Sequence, residues 1–143
     1  MAMVITYDGD PDRLDGPQRV RKIIGTWTSD GSGDASASTK KIAGRILKIA
    51  TNPGATAPTD NYDITVTDAN SLEIFAVAIA AQQPINRDTA NSEQQYPMVL
   101  NSDASALAMA IQPVVCDVLT IAVANAGAAK NGVLEIYWTP DAS

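Results

Sequence analysis

Residues 42–69 read IAGRILKIATNPGATAPTDNYDITVTDA, and this stretch decides the fold class. Two strand-like runs flank a loop of Pro, Gly, Ala and Thr. In the second run, Tyr62, Ile64 and Val66 point one way and the polar residues between them point the other, which is the period of a half-exposed strand. The block therefore predicts an antiparallel β-hairpin with a broad polar loop.

Residues 119–138, LTIAVANAGAAKNGVLEIYW, repeat the same pattern. An alternating run from Leu119 leads into a loop at 125–132, whose Asn and Gly residues accept positive φ angles. The returning run places Leu134, Ile136 and Trp138 inward. Because neighbours on a strand face opposite sides, Tyr137 is then expected to be exposed or in an interface.

The remainder of the chain reads as further short strands at 3–7, 19–28, 41–50 and 97–100. Residues 29–39 are predicted as a flexible loop and 82–96 as a long polar loop. The segment 71–81 fits a strand or a short helix, with alanine favouring the helix. We expect an all-β fold, an antiparallel β-sandwich or jelly-roll-like arrangement of about seven or eight short strands and at most one short helix. Residues 1–143 are predicted to form a single domain, with 1–18 as a candidate N-terminal docking arm.

Composition restricts the partners. The chain has 143 residues, a formal net charge of −6 and only 5% aromatic residues. The acidic balance argues against nucleic acid, and we find neither a signal-peptide pattern nor an apolar run long enough for a membrane span. The cations cluster in two groups, which we interpret as solvated strand faces or as a contact with an acidic partner: Arg13, Arg19, Arg21 and Lys22, then Lys40, Lys41, Arg45 and Lys48.

Groups suited to bond-breaking chemistry are scarce. The chain has no histidine and one cysteine, which removes Ser–His–Asp triads, Cys–His dyads, His-ligated zinc and intrachain disulfides. Cys116, in the run PVVCDVL, is expected to be a small buried hydrophobe. We expect no catalytic residue, no cofactor and no metal, and predict that the protein is not an enzyme.

Three patterns of acidic or hydroxyl residues resemble known sites, but none meets the requirements of one. Asp8, Asp10 and Asp12 have calcium-loop spacing, but the positions for the loop glycine and the bidentate glutamate hold arginines. Ser38 opens an S-x-x-K match that runs into a strand instead of starting a helix. Asp63 and Asp68 are five residues apart on an extended run, so they do not make a paired-carboxylate site.

Three phrases carry a resemblance to a known family: ILKIATNPGATAPTDNYDITVTDAN (46–70), NRDTANSE (86–93) and VLTIAVANAGAAKNGVLEIYW (118–138). They resemble small structural proteins of tailed bacteriophages, of the capsid decoration or cement type, over roughly residues 41–138. The resemblance implies a virion protein made in the host cytoplasm, which binds the major capsid protein at the capsid surface and stabilises the shell. It also implies association with itself, with a trimer as the expected homo-oligomer.

Alternatives within and outside that class remain open: a neck, tail or head-fibre component of the virion, or a carbohydrate-binding β-sandwich module. In either case the function depends on a binding surface and not on a catalytic site. The residues predicted to make protein–protein contacts are Met3, Ile5, Tyr7, Arg19, Arg21, Asn52, Pro53, Thr56, Pro58 and Tyr137. The loop 52–61 is the segment that we expect to touch a neighbouring virion subunit.

Overall fold

The computed structural model describes residues 2–8, 20–74, 85–87, 92–95 and 112–140. Within these ranges the predicted all-β class is confirmed: every strand pair is antiparallel, and no helix is present. The strands are β1 (Met3–Asp8), β2 (Arg21–Thr28), β3 (Ala35–Pro53), β4 (Tyr62–Thr67), β5 (Ile85–Arg87), β6 (Glu93–Gln95), β7 (Val114–Ala124) and β8 (Asn131–Pro140).

The strands form one sheet in the order β1-β2-β8-β3-β7-β4-β5, with β6 also paired to β3. β3 is 19 residues long, and its two halves have different partners. Its first half, Ala35 to Arg45, pairs with β7, while its second half, Gly44 to Pro53, pairs with β8. The sheet therefore has two parts that share β3.

β3 bends so that its two halves lie in different layers, and this bend makes the sheet a sandwich. Ala35 pairs with Val123 and Pro53 with Gly132, so both ends of β3 lie beside the short connection between β7 and β8. A straight strand of this length would separate its ends by about 60 Å, whereas that connection spans about 25 Å at most. The first layer is β1-β2-β8 with the second half of β3, and the second is the first half of β3 with β7-β4-β5.

The bend in β3 lies at Gly44. Gly44 pairs with Val115 of β7 and also with Pro140 of β8, and the register shifts just beyond it, between Ile46 and Lys48. A Cβ at this position would overlap the carbonyl oxygen of Thr139 and lie 2.9 Å from the Cα of Pro140. Glycine is needed because the backbone of β8 passes too close for any side chain.

Both predicted hairpins are wrong. β3 and β4 do not pair with each other, because β7 lies between them. β7 and β8 are likewise separated by β3. Each block is an arch whose loop crosses from one layer to the other, and a strand from elsewhere in the chain occupies the position that the hairpin partner was expected to take.

The core lies between the two layers, where the predicted alternation is confirmed. Tyr62, Ile64 and Val66 of β4 are buried, as are the inward residues of β2, β7 and β8. Trp27 of the first layer contacts Tyr62 of the second, with ring centroids 6.0 Å apart. The other large buried side chains are Ile23, Ile42, Ile46, Ile49, Leu119, Ile121, Leu134, Ile136 and Trp138.

Several local predictions need correction. Residues 35–39 belong to β3 and not to a loop, and the predicted loop 82–96 contains the short strands β5 and β6. Cys116 is exposed, not buried. Of 71–81, only 71–74 is described, and it holds no helix but an isolated bridge from Glu73 to Thr67. The predicted strand 97–100 lies outside the described residues, as do Asp10 and Asp12 of the calcium-loop pattern.

Candidate interaction surface

Three loops meet at one end of the sandwich. They are 29–34, between β2 and β3; 54–61, between β3 and β4; and 125–130, between β7 and β8. We call this end the loop platform. All three loops are joined by hydrogen bonds that link residues far apart in sequence. The doubled β3 brings them together, because it starts and ends at this same end of the molecule.

Loops 54–61 and 125–130 are connected through Asn131, the first residue of β8. Its backbone N–H donates to the carbonyl of Thr56 (2.9 Å), its carbonyl accepts from the N–H of Gly54 (2.9 Å), and its side-chain oxygen accepts from the N–H of Thr56 (3.2 Å). Thr59 makes a second connection, donating its N–H to the carbonyl of Ala126 and its hydroxyl to that of Asn125. These contacts fix both loops over most of their length.

Loop 29–34 is fixed by Ser29, which is buried. Its hydroxyl donates to the carbonyl of Gly127 (2.6 Å) and accepts from the N–H of Lys130 (2.9 Å). Gly33 and Gly127 both have positive φ, of 93° and 85°, and a Cβ on Gly33 would lie 2.8 Å from the nitrogen of Gly127. Glycine at these two positions therefore lets the loops approach closely.

Asp30 closes the same loop. One of its carboxylate oxygens accepts from the N–H of Ser32 (2.8 Å) and from that of Asp34 (3.1 Å). Hydrogen bonds from Asp34 and Ser32 favour the ionised carboxylate and lower the pKa of Asp30. This turn orders the part of the platform that the sequence pattern placed in a flexible loop.

Asp30→Asn is expected to reduce stability at neutral pH, with a difference that disappears in acid. A lowered folded-state pKa means that the carboxylate contributes stability above its unfolded pKa of about 3.9 and loses it as the pH falls through the folded-state value. Thermal unfolding from pH 7 to pH 2 measures the difference in Tm between the variant and the wild type. Asp60→Asn, in the neighbouring loop, is the control for the lost charge. A difference in Tm that stays constant into strong acid would contradict the assignment.

The exposed tips of the platform are small. They consist of Gly31 and Ser32, the run Ala55–Thr56–Ala57, and the pair Ala128–Ala129. The loops carry three carboxylates, on Asp30, Asp34 and Asp60, against the single ammonium of Lys130. The platform is thus a rigid acidic surface with few long side chains to immobilise on binding.

A second polar cluster surrounds Tyr137 on the outer face of the first layer. Lys48 and Lys22 lie 4.5 and 5.5 Å from the ring centroid of Tyr137, whose hydroxyl donates to Glu135 (2.7 Å). That hydrogen bond raises the pKa of the Tyr137 phenol. Lys22 also lies 3.6 Å from Glu135 and 3.9 Å from Asp8. These carboxylates offset its charge, so Lys22, from the first of the two predicted cation groups, does not form a free cationic surface.

The residues predicted as contacts are distributed over the whole fold. Asn52 and Thr56 are exposed, and Tyr137, Pro53, Ile5 and Tyr7 are half-buried. Met3, Arg21 and Pro58 are buried and offer little surface to a partner. Arg19 lies outside the described residues.

Two of these residues have structural partners instead. Arg21 lies over the ring of Trp138, 5.7 Å from its centroid. The hydroxyl of Tyr7 accepts the backbone N–H of Lys40, which joins the edge strand β1 to the first half of β3. Tyr7 therefore closes one side of the sandwich.

The acidic and hydroxyl residues of the sequence patterns have structural roles in the described part of the chain. Ser38 lies on the exposed face of β3, with its hydroxyl 3.4 Å from that of Thr120. Asp63 accepts the side-chain amide of Asn125 at 2.7 Å, and Asp68 closes a turn by accepting the N–H groups of Asn70 and Leu72. Among the described residues, no three His, Cys, Asp or Glu side chains are placed to hold a metal ion, and no helix is long and apolar enough to span a membrane.

Comparisons with family models, with curated proteins and with solved structures gave no match to this chain. The sequence phrases and the geometry of the molecule are therefore the observations that bear on function. The sequence pattern missed the contribution of 29–34 to the platform. The signal was present in Asp30 followed by two glycines, the composition of a tight side-chain-capped turn.

Proposed function

We propose that this chain is a non-enzymatic structural protein of a tailed-phage virion, which binds the outside of the capsid and stabilises the shell. One observation supports this proposal best. The two loop phrases that carry the resemblance, NPGATAPTDN and NAGAAKNG, lie about 70 residues apart in sequence. They form one surface, in which the Asn131 and Thr59 hydrogen bonds join them.

The physical properties of the platform suit a protein–protein contact. Its loops are preorganised by backbone hydrogen bonds, so little conformational entropy is lost when a partner binds. Its acidic character fits a basic patch on the major capsid protein, where charge complementarity would set orientation and association rate. Self-association would add several such weak contacts on one shell through multivalency.

A platform variant tests this function. Ala57→Arg places a long cationic side chain at an exposed loop tip and is expected to weaken binding to capsid by tenfold or more, because it removes both shape and charge complementarity. The measurement is co-sedimentation of purified protein with capsids that lack it, with bound copies counted per particle. Thr26→Arg, at an exposed position on β2 that is not a predicted contact, is the matched control and should bind like the wild type.

The same count separates the roles within the virion. A decoration protein saturates at hundreds of copies per particle, whereas a neck component saturates at about a dozen, since copy number follows the symmetry of the site. Wild-type protein that does not bind capsids, or Ala57→Arg and Thr26→Arg variants that bind equally well, would contradict the proposal. Circular dichroism of each variant establishes that the fold is retained.

A carbohydrate-binding role is the second candidate, because of a groove beside Tyr137. The groove has a volume of about 460 Å³ on the outer face of the first layer, and Asn52, Gln94 and Glu135 contribute amide and carboxylate groups to its lining. Tyr137 is not among the lining residues, but its hydroxyl donates to Glu135 at the edge of the groove. Amide and carboxylate groups are able to form hydrogen bonds with sugar hydroxyls. A glycan-binding screen with the wild type and with Gln94→Ala tests this role; binding that the substitution abolishes would support it.

A further inference from the structure

The outer face of the second layer has an unusual distribution of side-chain sizes. We call it the flat face; it consists of the outward residues of the first half of β3, of β7 and of β4. At one end, Val114 and Val118 are 66% and 37% exposed, and Cys116 between them is also exposed. At the other end, the outward residues of β7 are Ala122 and Ala124. Bulky apolar groups thus occupy one end of β7 and small groups the other.

The small-residue end contains a shallow hollow. Its volume is about 350 Å³, and its lining includes Asp30, Asp34, Ser36, Ala122 and Ala124. The two carboxylates come from the loop that precedes β3, and Ala122 and Ala124 form part of its floor. The hollow is therefore acidic at its rim and apolar at its base.

Charge is divided along the same direction. Lys41 and Arg45, both exposed, pair across the sheet with Val118 and Val114, which places two cations at the valine end. Asp34 precedes Ala35, the partner of Val123, and Asp63 pairs with Ala124, which places carboxylates at the alanine end. The flat face is basic and protruding at one end, and acidic and hollow at the other.

We propose that a second copy of this chain binds the flat face, with the two β7 strands antiparallel and related by a two-fold axis. The midpoint of β7 is Leu119, beside the pair Ser38–Thr120, so the axis passes there. This axis lies in the plane between the two sheets and is perpendicular to the strands. Rotation about it lays the valine end of each copy over the hollow of the other. It also lays Arg45 of each copy over Asp34 of the other. Size and charge match at both ends at once, as an isologous interface requires.

The middle of the interface is compatible with close packing. Ser36, Ser38 and Thr120 are small and exposed, and the β3–β7 register is regular from Ala35 to Ser38 and shifts between Ser38 and Lys41. The small side chains let two faces approach to the usual spacing of about 10 Å between packed sheets. The inference does not depend on the virion role, since it concerns contact between copies in solution. A two-fold interface gives a dimer, in contrast to the trimer expected from the family resemblance.

Charge reversal with rescue tests this interface. Arg45→Glu and Asp34→Arg are each expected to raise the dimer dissociation constant by about tenfold or more, because each faces like charge in the second copy. The double variant Arg45→Glu with Asp34→Arg restores complementarity and should recover the dimer. Sedimentation equilibrium over a range of protein and salt concentrations gives the constants. Asp8→Arg, on the outer face of the other layer, is the matched control and should dimerise like the wild type.

The exposed cysteine supplies an independent geometric test. In the proposed arrangement the two Cys116 Cα atoms are about 20 Å apart along the strands and about 10 Å apart between the sheets, a separation of about 22 Å. Spin labels attached to Cys116 should therefore give a pulsed-EPR distance near this value in the wild-type dimer, and no such distance in Arg45→Glu. A monomeric or trimeric wild type, a double variant that is not rescued, or a clearly different distance would overturn the proposal. Circular dichroism and Tm establish that each variant is folded.

Discussion

Gly44→Val is expected to destabilise the protein by about 3 kcal/mol or more, because a side chain has no space at the bend of β3. An added Cβ would overlap the carbonyl of Thr139 and press on the Cα of Pro140. Those atoms are backbone, so relief requires β8 to move away from β3. The movement would disturb the pairing that joins the two layers, and the effect should appear in the midpoint of urea unfolding.

A neighbouring substitution provides the control for Gly44→Val. Ala43 is exposed on the outer face of β3, where valine suits a strand and meets no backbone. Ala43→Val is therefore expected to change stability by less than about 0.5 kcal/mol. Equal effects at 43 and 44 would show that the close approach to Thr139 does not limit the fold.

Trp138→Ala is expected to cost about 3–5 kcal/mol, the range for deleting a large aromatic side chain from a core. Trp138 is 1% exposed and among the largest fully buried side chains in the described part of the chain. The substitution leaves a cavity beside Ile136 and Ile46 and removes the ring below the guanidinium of Arg21. Urea unfolding followed by circular dichroism gives the free energy of unfolding directly.

Two further variants separate the possible causes at this position. The indole N–H of Trp138 has no hydrogen-bond partner among the described residues, so Trp138→Phe loses volume but no hydrogen bond and should be milder than alanine. Tyr137→Ala, on the opposite side of the same strand, should also cost less, because Tyr137 is half-exposed. A phenylalanine variant as unstable as the alanine variant would contradict an origin in packing.

The inward and outward faces of the strands were predictable from sequence, since alternation is a local property. Tyr62, Ile64 and Val66 of β4 lie on one face as their spacing predicts, and Ile136 and Trp138 of β8 point into the core. Cys116 follows the same rule, although its predicted burial did not take the rule into account. Its neighbours Val115 and Asp117 point to the inner side, so alternation places Cys116 outward with Val114 and Val118. Its composition suggested burial, whereas its position in the strand decides exposure.

The candidate surface was predictable only in pieces. The loops at 54–61 and 125–130 follow from Pro, Gly and Asn residues that end strands and accept positive φ. Their contact with each other, and with 29–34, depends on Asn131 and Ser29, which form hydrogen bonds to loops 75 and 98–101 residues away. Sequence spacing contains no signal for partners at that distance.

By itself, the sequence determined the all-β class, the buried faces of β4 and β8 and the absence of histidine chemistry, because each follows from residue identity or from a two-residue period. Only the tertiary structure decided that the blocks 42–69 and 119–138 are arches and not hairpins. The reason lies at Gly44, where β3 turns from one layer to the other and contacts both β7 and β8. Distant segments compete to pair with each strand edge. The close approach of the β8 backbone to Gly44 lets β3 pair with both β7 and β8.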